Sequence, residues 1–160
     1  MIRPATPEDA DQLAVIYNHY VENTVISFEE QSVSNFEMRK RISQGVSLYP
    51  WLVAENGGEL LGYAFATQWK SRTAYSKTAE TSVYIAANHL RKGLGLVLYN
   101  SLIGQLREQG AHCALAGIAL PNPASIAFHE KLGFRKVGEL QEVGWKMGKW
   151  VNVGYWELIL

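Results

Sequence analysis

The residues with the clearest chemical potential form a short basic loop that carries two glycines. Its sequence, Arg91-Lys92-Gly93-Leu94-Gly95-Leu96, lies between a strand-like stretch and a helical pattern. A loop of this kind directs backbone N–H groups and the positive end of a helix toward an anion. Arg91 and Lys92 add two full positive charges. We therefore expect residues 91–96 to bind a phosphate or pyrophosphate group.

Two familiar phosphate-binding motifs do not fit this loop. The dinucleotide-binding fingerprint requires glycine where this chain has Leu98. The P-loop requires Gly-Lys-Ser/Thr after four free positions, and that order is absent. The loop is therefore predicted to be an anion site of a third kind.

The elements that must position the loop are indicated by hydrophobic periodicity, capping residues and turn signals. Helices are predicted at 6–23, 34–44, 94–110 and 122–133, and strands at 51–55, 60–66, 81–86, 113–120, from 134 onward and at 150–160. The strand–helix–strand segment 81–120 implies a parallel pair with a right-handed crossover. With a further strand ahead of the helix at 6–23, the order β-α-α-β-β-β-α-β-α-β-β predicts a mixed sheet with helices against it, in one domain covering residues 1–160.

Composition restricts the class of partner. Of the 160 residues, 48% are hydrophobic, and 15 basic side chains balance 15 acidic ones. Zero net charge provides no bulk attraction to nucleic acid or to an acidic membrane. No apolar run approaches the ~20 residues of a membrane span, and the N-terminus lacks the apolar core of a signal peptide. We therefore expect a cytoplasmic protein that binds neither nucleic acid nor membrane.

Two further kinds of chemistry are disfavoured. The single cysteine, Cys113, excludes a disulfide within the chain, and its apolar surroundings favour inert packing over covalent catalysis. His19, His89 and His112 show no ligand spacing with one another, so no metal is expected.

Two signatures in this chain resemble those of the GNAT N-acetyltransferases. The phosphate loop of that family reads Gln/Arg-x-x-Gly-x-Gly/Ala, and the present loop fits it at all positions except the first, Leu90. Residues 122–134 resemble the second signature, Asn-x-x-Ser through to Glu-x-x-Gly-Phe/Tyr. Further stretches at 18–20, 49–55, 69–75, 78–80, 120–122 and 153–156 resemble the phosphinothricin acetyltransferases.

This resemblance implies a fold, a reaction and an assembly. The implied fold is an α/β (α+β) domain with a mixed, mostly antiparallel sheet, a splayed parallel pair, and helices on both faces. The implied reaction transfers acetyl from acetyl-CoA to the α-amino group of glutamate-like amino acids bearing phosphinate, sulfoximine or sulfone groups. A homodimer is implied as well. Trp150, Val151, Val153 and Trp156 could form its surface or could equally belong to the core.

The resemblance also assigns catalytic roles. It places the general base on Glu80, where burial among Trp69, Tyr75 and Tyr84 would raise the carboxyl pKa. His129 could donate a proton to the departing CoA thiolate. The alternative for His129 is a packed or surface histidine on an apolar helix.

Binding roles follow from the same comparison. The backbone groups of Val83, Tyr84 and Ile85 would carry the pantetheine arm, and Asn122 and Ser125 would bind it or merely cap a helix. The pyrophosphate would lie on Arg91, Lys92, Gly93, Leu94, Gly95 and Leu96. The residues expected to bind the acceptor are Phe28, Lys70, Arg72, Tyr75, Tyr84 and Val153, among which the arginine fork suits a carboxylate or phosphinate.

Two alternatives remain open. A relative could acetylate another amine, such as a polyamine or a protein N-terminus, although Lys70 and Arg72 argue against a polycationic acceptor. The chain could instead be a non-catalytic acyl-CoA-binding module. The presence of Glu80 beside a nearly intact loop argues against that.

Overall fold

Seven strands form a single sheet in a computed structural model that describes residues 1–160, and four α-helices pack against it. The strands are β1 (Ile2–Pro4), β2 (Trp51–Asn56), β3 (Glu59–Gln68), β4 (Thr78–Ile85), β5 (Cys113–Leu120), β6 (Arg135–Lys146) and β7 (Lys149–Ile159). The helices are α1 (Ala10–Asn23), α2 (Asn35–Gly45), α3 (Leu94–Glu108) and α4 (Pro123–Lys131).

The sheet has the order β1-β2-β3-β4-β5-β7-β6. All neighbouring strands are antiparallel except β4 and β5, which are parallel and are connected through α3. The predicted order of elements and the predicted fold class are therefore confirmed.

The parallel pair is unusually short. β4 and β5 are in register only from Thr78–Cys113 to Glu80–Leu115. Beyond this point β4 stays paired with β3 as far as Ile85, and β5 stays paired with β7 as far as Leu120. The two strands therefore separate, and a gap opens in the middle of the sheet just beyond Glu80.

Alternation along the strands divides the buried side chains into two cores, one on each face of the sheet. The core beneath α3 includes Leu98, Leu102 and Ile118, and the core beneath α1 and α2 includes Leu13, Ile42 and Tyr63. On β4, alternation directs Val83 and Ile85 toward α3, and directs Glu80, Ser82 and Tyr84 toward α1 and α2. Glu80 therefore lies on the face covered by α1 and α2, whereas the glycine loop leads into α3 on the opposite face.

Local signals explain most helix ends, with one shift in position. Ser34 caps α2 by accepting a hydrogen bond from the Glu37 N–H group at 3.1 Å. The first helix was expected from Thr6, but a 3-10 turn occupies Pro7–Asp9 and α1 begins at Ala10. Asp9 is buried there in an ion pair with Arg3, at 2.8 Å. None of the helices combines the length and the apolar character that a membrane crossing needs.

Two helical glycines provide a matched test of this packing. At Gly45, a Cβ atom would lie 2.3 Å from the Trp51 indole nitrogen, whereas nothing lies within 4 Å of a Cβ at Gly104. We expect Gly45→Ala to lower the free energy of unfolding by about 1–3 kcal/mol, because the indole must move. Gly104→Ala should raise it by roughly 0.5–1 kcal/mol through helix propensity. Urea unfolding measures both, and equal effects would contradict the close packing at Gly45.

Candidate active site

The gap between β4 and β5 exposes backbone groups that have no partner strand. The Ala86 N–H group donates a hydrogen bond to the Leu61 carbonyl of β3. Hydrogen-bonded residues alternate along an antiparallel pair of strands. Tyr84, two residues earlier, therefore also forms its backbone hydrogen bonds with β3. The backbone groups of Val83 and Ile85 consequently face the gap. The Ile85 carbonyl already accepts a hydrogen bond from the Tyr20 hydroxyl, at 2.5 Å.

This geometry corrects one backbone assignment. Val83, Tyr84 and Ile85 were all expected to present backbone groups to a ligand. The register reserves those of Tyr84 for β3, and its ring packs against α1 instead, 5.1 Å from the Tyr17 ring. Two residues on this strand, rather than three, can therefore offer backbone groups to a molecule in the gap.

The glycine loop has the geometry of an anion cradle. The five consecutive backbone N–H groups from Arg91 to Gly95 donate to no acceptor in the chain. Gly93 precedes α3 in a left-handed conformation, with φ of 77°, and provides no side-chain cap. Arg91 also has a positive φ, of 62°. Free N–H groups at the start of a long helix are the usual partners of phosphate oxygens, so this chain's own residues fit a pyrophosphate.

The charges beside the cradle are exposed and available. Arg91 makes no ion pair, and the Lys92 ammonium has only the His89 ring within reach, at 3.4 Å. Leu90, which replaces the polar residue of the family pattern, is 48% exposed at the edge of the loop. The lack of a polar side chain at position 90 therefore does not affect the free backbone N–H groups of residues 91–95.

Glu80 is the one carboxylate at the gap. It is half-buried, it makes no hydrogen bond or ion pair with the chain, and burial raises its pKa above the ordinary value. Its Oε1 atom lies 3.5 Å from where a Cβ at Gly117 would be. Because no cation neutralises it, the side chain is suited to accept a proton from a ligand.

Two recesses meet at Glu80. The small recess, of about 280 Å³, is bounded by Glu80, Phe28, Leu140, Val143, Val153 and Tyr155. The aromatic recess, of about 630 Å³, is bounded by Glu80, Arg41, Trp51, Tyr63, Phe65 and Tyr84. The expected wall residues Phe28 and Val153 therefore do come together beside Glu80, while Tyr84 lies in the other recess.

Tyr155 is a site residue that sequence reasoning did not single out. Its ring lies 3.4 Å from where a Cβ at Gly117 would be, and burial together with the nearby Glu80 charge raises its pKa. The alternation of β7 offered a signal, because Val153 and Tyr155 must share one face of the strand.

Contacts with β6 hold Phe28 in position. A Cβ at Gly144 would lie 2.3 Å from the Phe28 ring, so only glycine leaves room for it. The neighbouring Ser27 carbonyl accepts a hydrogen bond from the buried Lys146 ammonium at 2.6 Å, and the Ser27 hydroxyl bonds to Tyr17 at 2.8 Å. Burial lowers the pKa of Lys146. This segment is therefore fixed over the small recess.

The basic loop before β4 lies outside both recesses. Lys70, Arg72 and Tyr75 are exposed, and neither cation has a carboxylate partner. The Lys70 ammonium lies over the rings of Trp69, at 5.4 Å, and Tyr75, at 5.6 Å. Trp69 packs edge-on against Tyr155 with the ring centroids 5.4 Å apart. The loop thus adjoins the small recess through this aromatic contact rather than lining it.

His129 does not occupy the position expected of an acid. It is only 5% exposed and borders neither recess. Its Nδ1 lies 2.8 Å from the Ser125 carbonyl, and its Nε2 lies 3.1 Å from the Tyr99 hydroxyl. Desolvation lowers its pKa. A direct proton donation to a ligand does not fit, because both ring nitrogens are engaged within the protein.

The Tyr99 hydroxyl continues this buried chain of contacts. It lies 2.6 Å from Thr81 Oγ1, which donates to the Leu115 carbonyl at 3.0 Å. Thr81 follows the last paired residue of β4. His129 and Tyr99 therefore brace the point at which the two strands separate.

Asn122 and Ser125 make the capping contact that was expected as their alternative role. Asn122 Oδ1 accepts a hydrogen bond from the Ser125 N–H group at 3.1 Å. Asn122 also borders an open recess with Leu120, Ile126 and Glu130. No group of three or more His, Cys, Asp or Glu side chains is placed to hold a metal ion.

Comparison with known proteins agrees with this arrangement. Residues 2–153 match the sequence profile of the acetyltransferase (GNAT) domain family. The chain is 40% identical to a phosphinothricin N-acetyltransferase of Streptomyces viridochromogenes, over 98% of this chain and 85% of that protein. It is 35% identical to an L-methionine sulfoximine/L-methionine sulfone acetyltransferase of Salmonella typhimurium, over 99% and 94%.

A solved structure extends the likeness to three dimensions. The crystal structure of a GNAT superfamily phosphinothricin acetyltransferase from Sinorhizobium meliloti, in complex with acetyl-CoA, superposes with a TM-score of 0.96. That structure is 33% identical, with 100% of this chain and 88% of the other covered. A free N–H cradle, a split parallel pair, and matches along nearly the whole chain lead to one conclusion: this chain belongs to the GNAT acetyltransferase family.

Proposed function

We propose that the protein transfers acetyl from acetyl-CoA to the α-amino group of a small glutamate-like amino acid or analogue, such as phosphinothricin, methionine sulfoximine or methionine sulfone. The observation that carries this proposal is the unpaired, half-buried Glu80 carboxylate at the gap between β4 and β5. The named activities of the relatives support the substrate class.

Acetyl-CoA would supply an acetyl group activated as a thioester. The residues assigned to hold it are the loop from Arg91 to Leu96 for the pyrophosphate, and the backbone of Val83 and Ile85 for the pantetheine arm. Asn122 retains an unused side-chain N–H₂ group beside the open recess. Holding both reactants in line can contribute several kcal/mol, up to ~7–11.

Glu80 accepts a proton from the acceptor's ammonium group, directly or through a water molecule. The free amine can then attack the thioester carbonyl carbon of acetyl-CoA, because only the neutral amine is nucleophilic. The unpaired state of Glu80 suits this task, since a neighbouring cation would lower its pKa and weaken it as a base.

The acceptor's side chain occupies the small recess, against Phe28, Val153 and Tyr155. Its anionic groups are drawn to Lys70 and Arg72, which have no partner within the chain. Tyr75 helps to hold Lys70 by its ring. His129 takes a positioning role, since it supports Tyr99 and thereby Thr81.

A homodimer and a cytoplasmic location complete the proposal. The β6–β7 hairpin exposes apolar side chains that include Trp145 and Trp150, 5.0 Å apart, and a second copy could cover them. Val151 and Trp156 are buried in the protomer and belong to its core. A single cysteine suits a reducing compartment.

Glu80→Gln should lower kcat by roughly 10²–10⁴ while acetyl-CoA still binds, because the base is lost and the shape is kept. In the unmodified protein, kcat should fall as pH drops through the raised pKa of Glu80, since the base works only when ionised. The variant should lack this acidic limb. Stopped-time acetylation assays across pH measure both effects.

Glu108→Gln is the matched control, because Glu108 is exposed and unpaired at the end of α3. It should leave kcat and its pH profile unchanged. A Glu80→Gln protein with normal turnover and the same acidic limb would remove Glu80 as the base.

Arg72→Ala should raise the KM for methionine sulfone roughly tenfold and leave the KM for acetyl-CoA unchanged, because a hydrogen bond to a charged group is lost. Steady-state kinetics with each substrate varied in turn measures the split. Arg107→Ala, which removes an exposed cation from α3, should alter neither value. Equal effects of Arg72→Ala on both KM values would contradict the assignment.

Gly144→Ala should raise the acceptor KM roughly tenfold, in line with the ~1–3 kcal/mol that displaced packing costs, because the Phe28 ring must leave its seat. Gly138→Ala on the same strand is the control, since a Cβ there meets nothing within 4 Å. In Phe28→Ala protein the Gly144→Ala effect should vanish. Additive effects of the two substitutions would show that displacement of the Phe28 ring does not cause the change in KM.

A further inference from the structure

The aromatic recess is larger than the proposed acceptor requires and differs from the small recess in chemistry. Its volume of about 630 Å³ is more than twice the 280 Å³ of the small recess. It lies between α2 and strands β2 to β4, and it reaches Glu80 from the side opposite Phe28. Cavities of this size, lined mainly by apolar side chains with a few polar groups, are typical of small-molecule sites.

The wall on the sheet side is built of nearly parallel aromatic rings. The centroids of Trp51 and Phe65 are 4.2 Å apart at 25°, and those of Phe65 and Tyr84 are 6.4 Å apart at 20°. Trp51 and Tyr63 are only 6% and 2% exposed and stack behind Phe65, so Phe65 and Tyr84 present most of the accessible ring surface. Ring faces and edges of this kind bind a further aromatic group better than a flexible polar chain.

The charges in this recess do not suit an anionic ligand. Its cation, Arg41, donates to Glu29 at 2.7 Å and to Glu37 at 3.2 Å, so it is already neutralised. The Lys70–Arg72 loop differs, because its cations have no carboxylate partner. An anionic side chain, such as that of phosphinothricin, is therefore drawn away from the aromatic recess, whereas an apolar ring is not. The side chain of methionine sulfone is uncharged, and only its polar sulfone group distinguishes it from an apolar ring there.

Glu80 is the base available to a ligand in either recess. An amino acid with its ammonium group at Glu80 can place its side chain toward Phe28 or toward Trp51. We infer that the protein has a second acceptor class, α-amino acids with an aromatic side chain, whose ring occupies the aromatic recess while Glu80 serves the amine. This inference rests on the proposed function, and it extends that function to a recess that glutamate-like acceptors leave unused.

The transfer itself is unchanged in this second class. The amine nitrogen forms a bond to the acetyl carbon, the carbon–sulfur bond breaks, and CoA leaves with the electron pair as a thiolate. One ammonium proton passes to Glu80 before the attack, and the second proton that the nitrogen loses as it becomes an amide passes to the CoA thiolate. No oxidant, reductant or further reactant is required.

The test compares L-phenylalanine with L-methionine sulfone, which share the amino and carboxylate groups and differ in the side chain. The unmodified protein should acetylate both. Gln44→Trp fills the mouth of the recess from the exposed side of α2 and should reduce kcat/KM for L-phenylalanine by at least about tenfold relative to methionine sulfone, the scale of discrimination by apolar contacts. Leu48→Trp fills the same mouth at a residue that is 71% exposed, and should act alike.

Ser43→Trp is the matched control, because it adds the same indole to the neighbouring exposed position of α2, outside the recess. It should leave the ratio of the two kcat/KM values unchanged. A ratio unaffected by both plugging variants would overturn the inference, as would a protein that acetylates methionine sulfone but not L-phenylalanine.

Calorimetric binding separates this inference from the proposed function. A protein that acetylates neither amino acid refutes the proposed function. In that event, binding of L-phenylalanine that is lost in Gln44→Trp and kept in Ser43→Trp still supports the ring site. Absence of binding refutes both.

Discussion

The separation of β4 from β5 is the constraint on which the rest of the site depends. Parallel strands in the middle of a sheet normally satisfy each other's backbone groups, and unpaired ones cost free energy. Here the pairing stops after Glu80 and Leu115, because each strand follows its other neighbour. The fold offsets part of the cost, since Tyr20 donates to the Ile85 carbonyl and Thr81 donates to the Leu115 carbonyl. The remaining groups face a space that a ligand with amide groups can fill.

The charged residues around this gap differ in their exposure to solvent. The cations of the two basic loops are exposed and unpaired, so they can attract anionic ends of ligands from solvent without a large desolvation cost. Glu80 is half-buried and also unpaired, which raises its pKa rather than lowering it. An ion pair between Glu80 and either loop would have the opposite effect, because a nearby cation lowers the pKa of a carboxyl group. The separation of these cations from Glu80 therefore keeps its carboxyl pKa raised.

Two glycines determine the shape of the space beside Glu80. Gly144 leaves room for the Phe28 ring, and Gly117 leaves room for Glu80 and Tyr155. A buried ammonium on β6 fixes the backbone beside Phe28, although the two residues are more than a hundred positions apart in the chain. These contacts divide the space around Glu80 into two recesses of different size and polarity.

The sequence by itself determined the order of the elements and the class of the fold, because capping residues, glycines and alternating apolar residues act over a few positions. It also predicted the glycine-containing turn before a helix, and the structure shows consecutive free N–H groups there. Only the tertiary structure decided which backbone groups face the gap, because strand register assigns those of Val83 and Ile85 to it and those of Tyr84 to β3. Likewise, the sequence could not show that His129 is enclosed by Tyr99 and Ser125, or that rings from three strands line a recess ending at Glu80. Those arrangements depend on contacts between residues far apart in the chain, and no local pattern encodes such contacts.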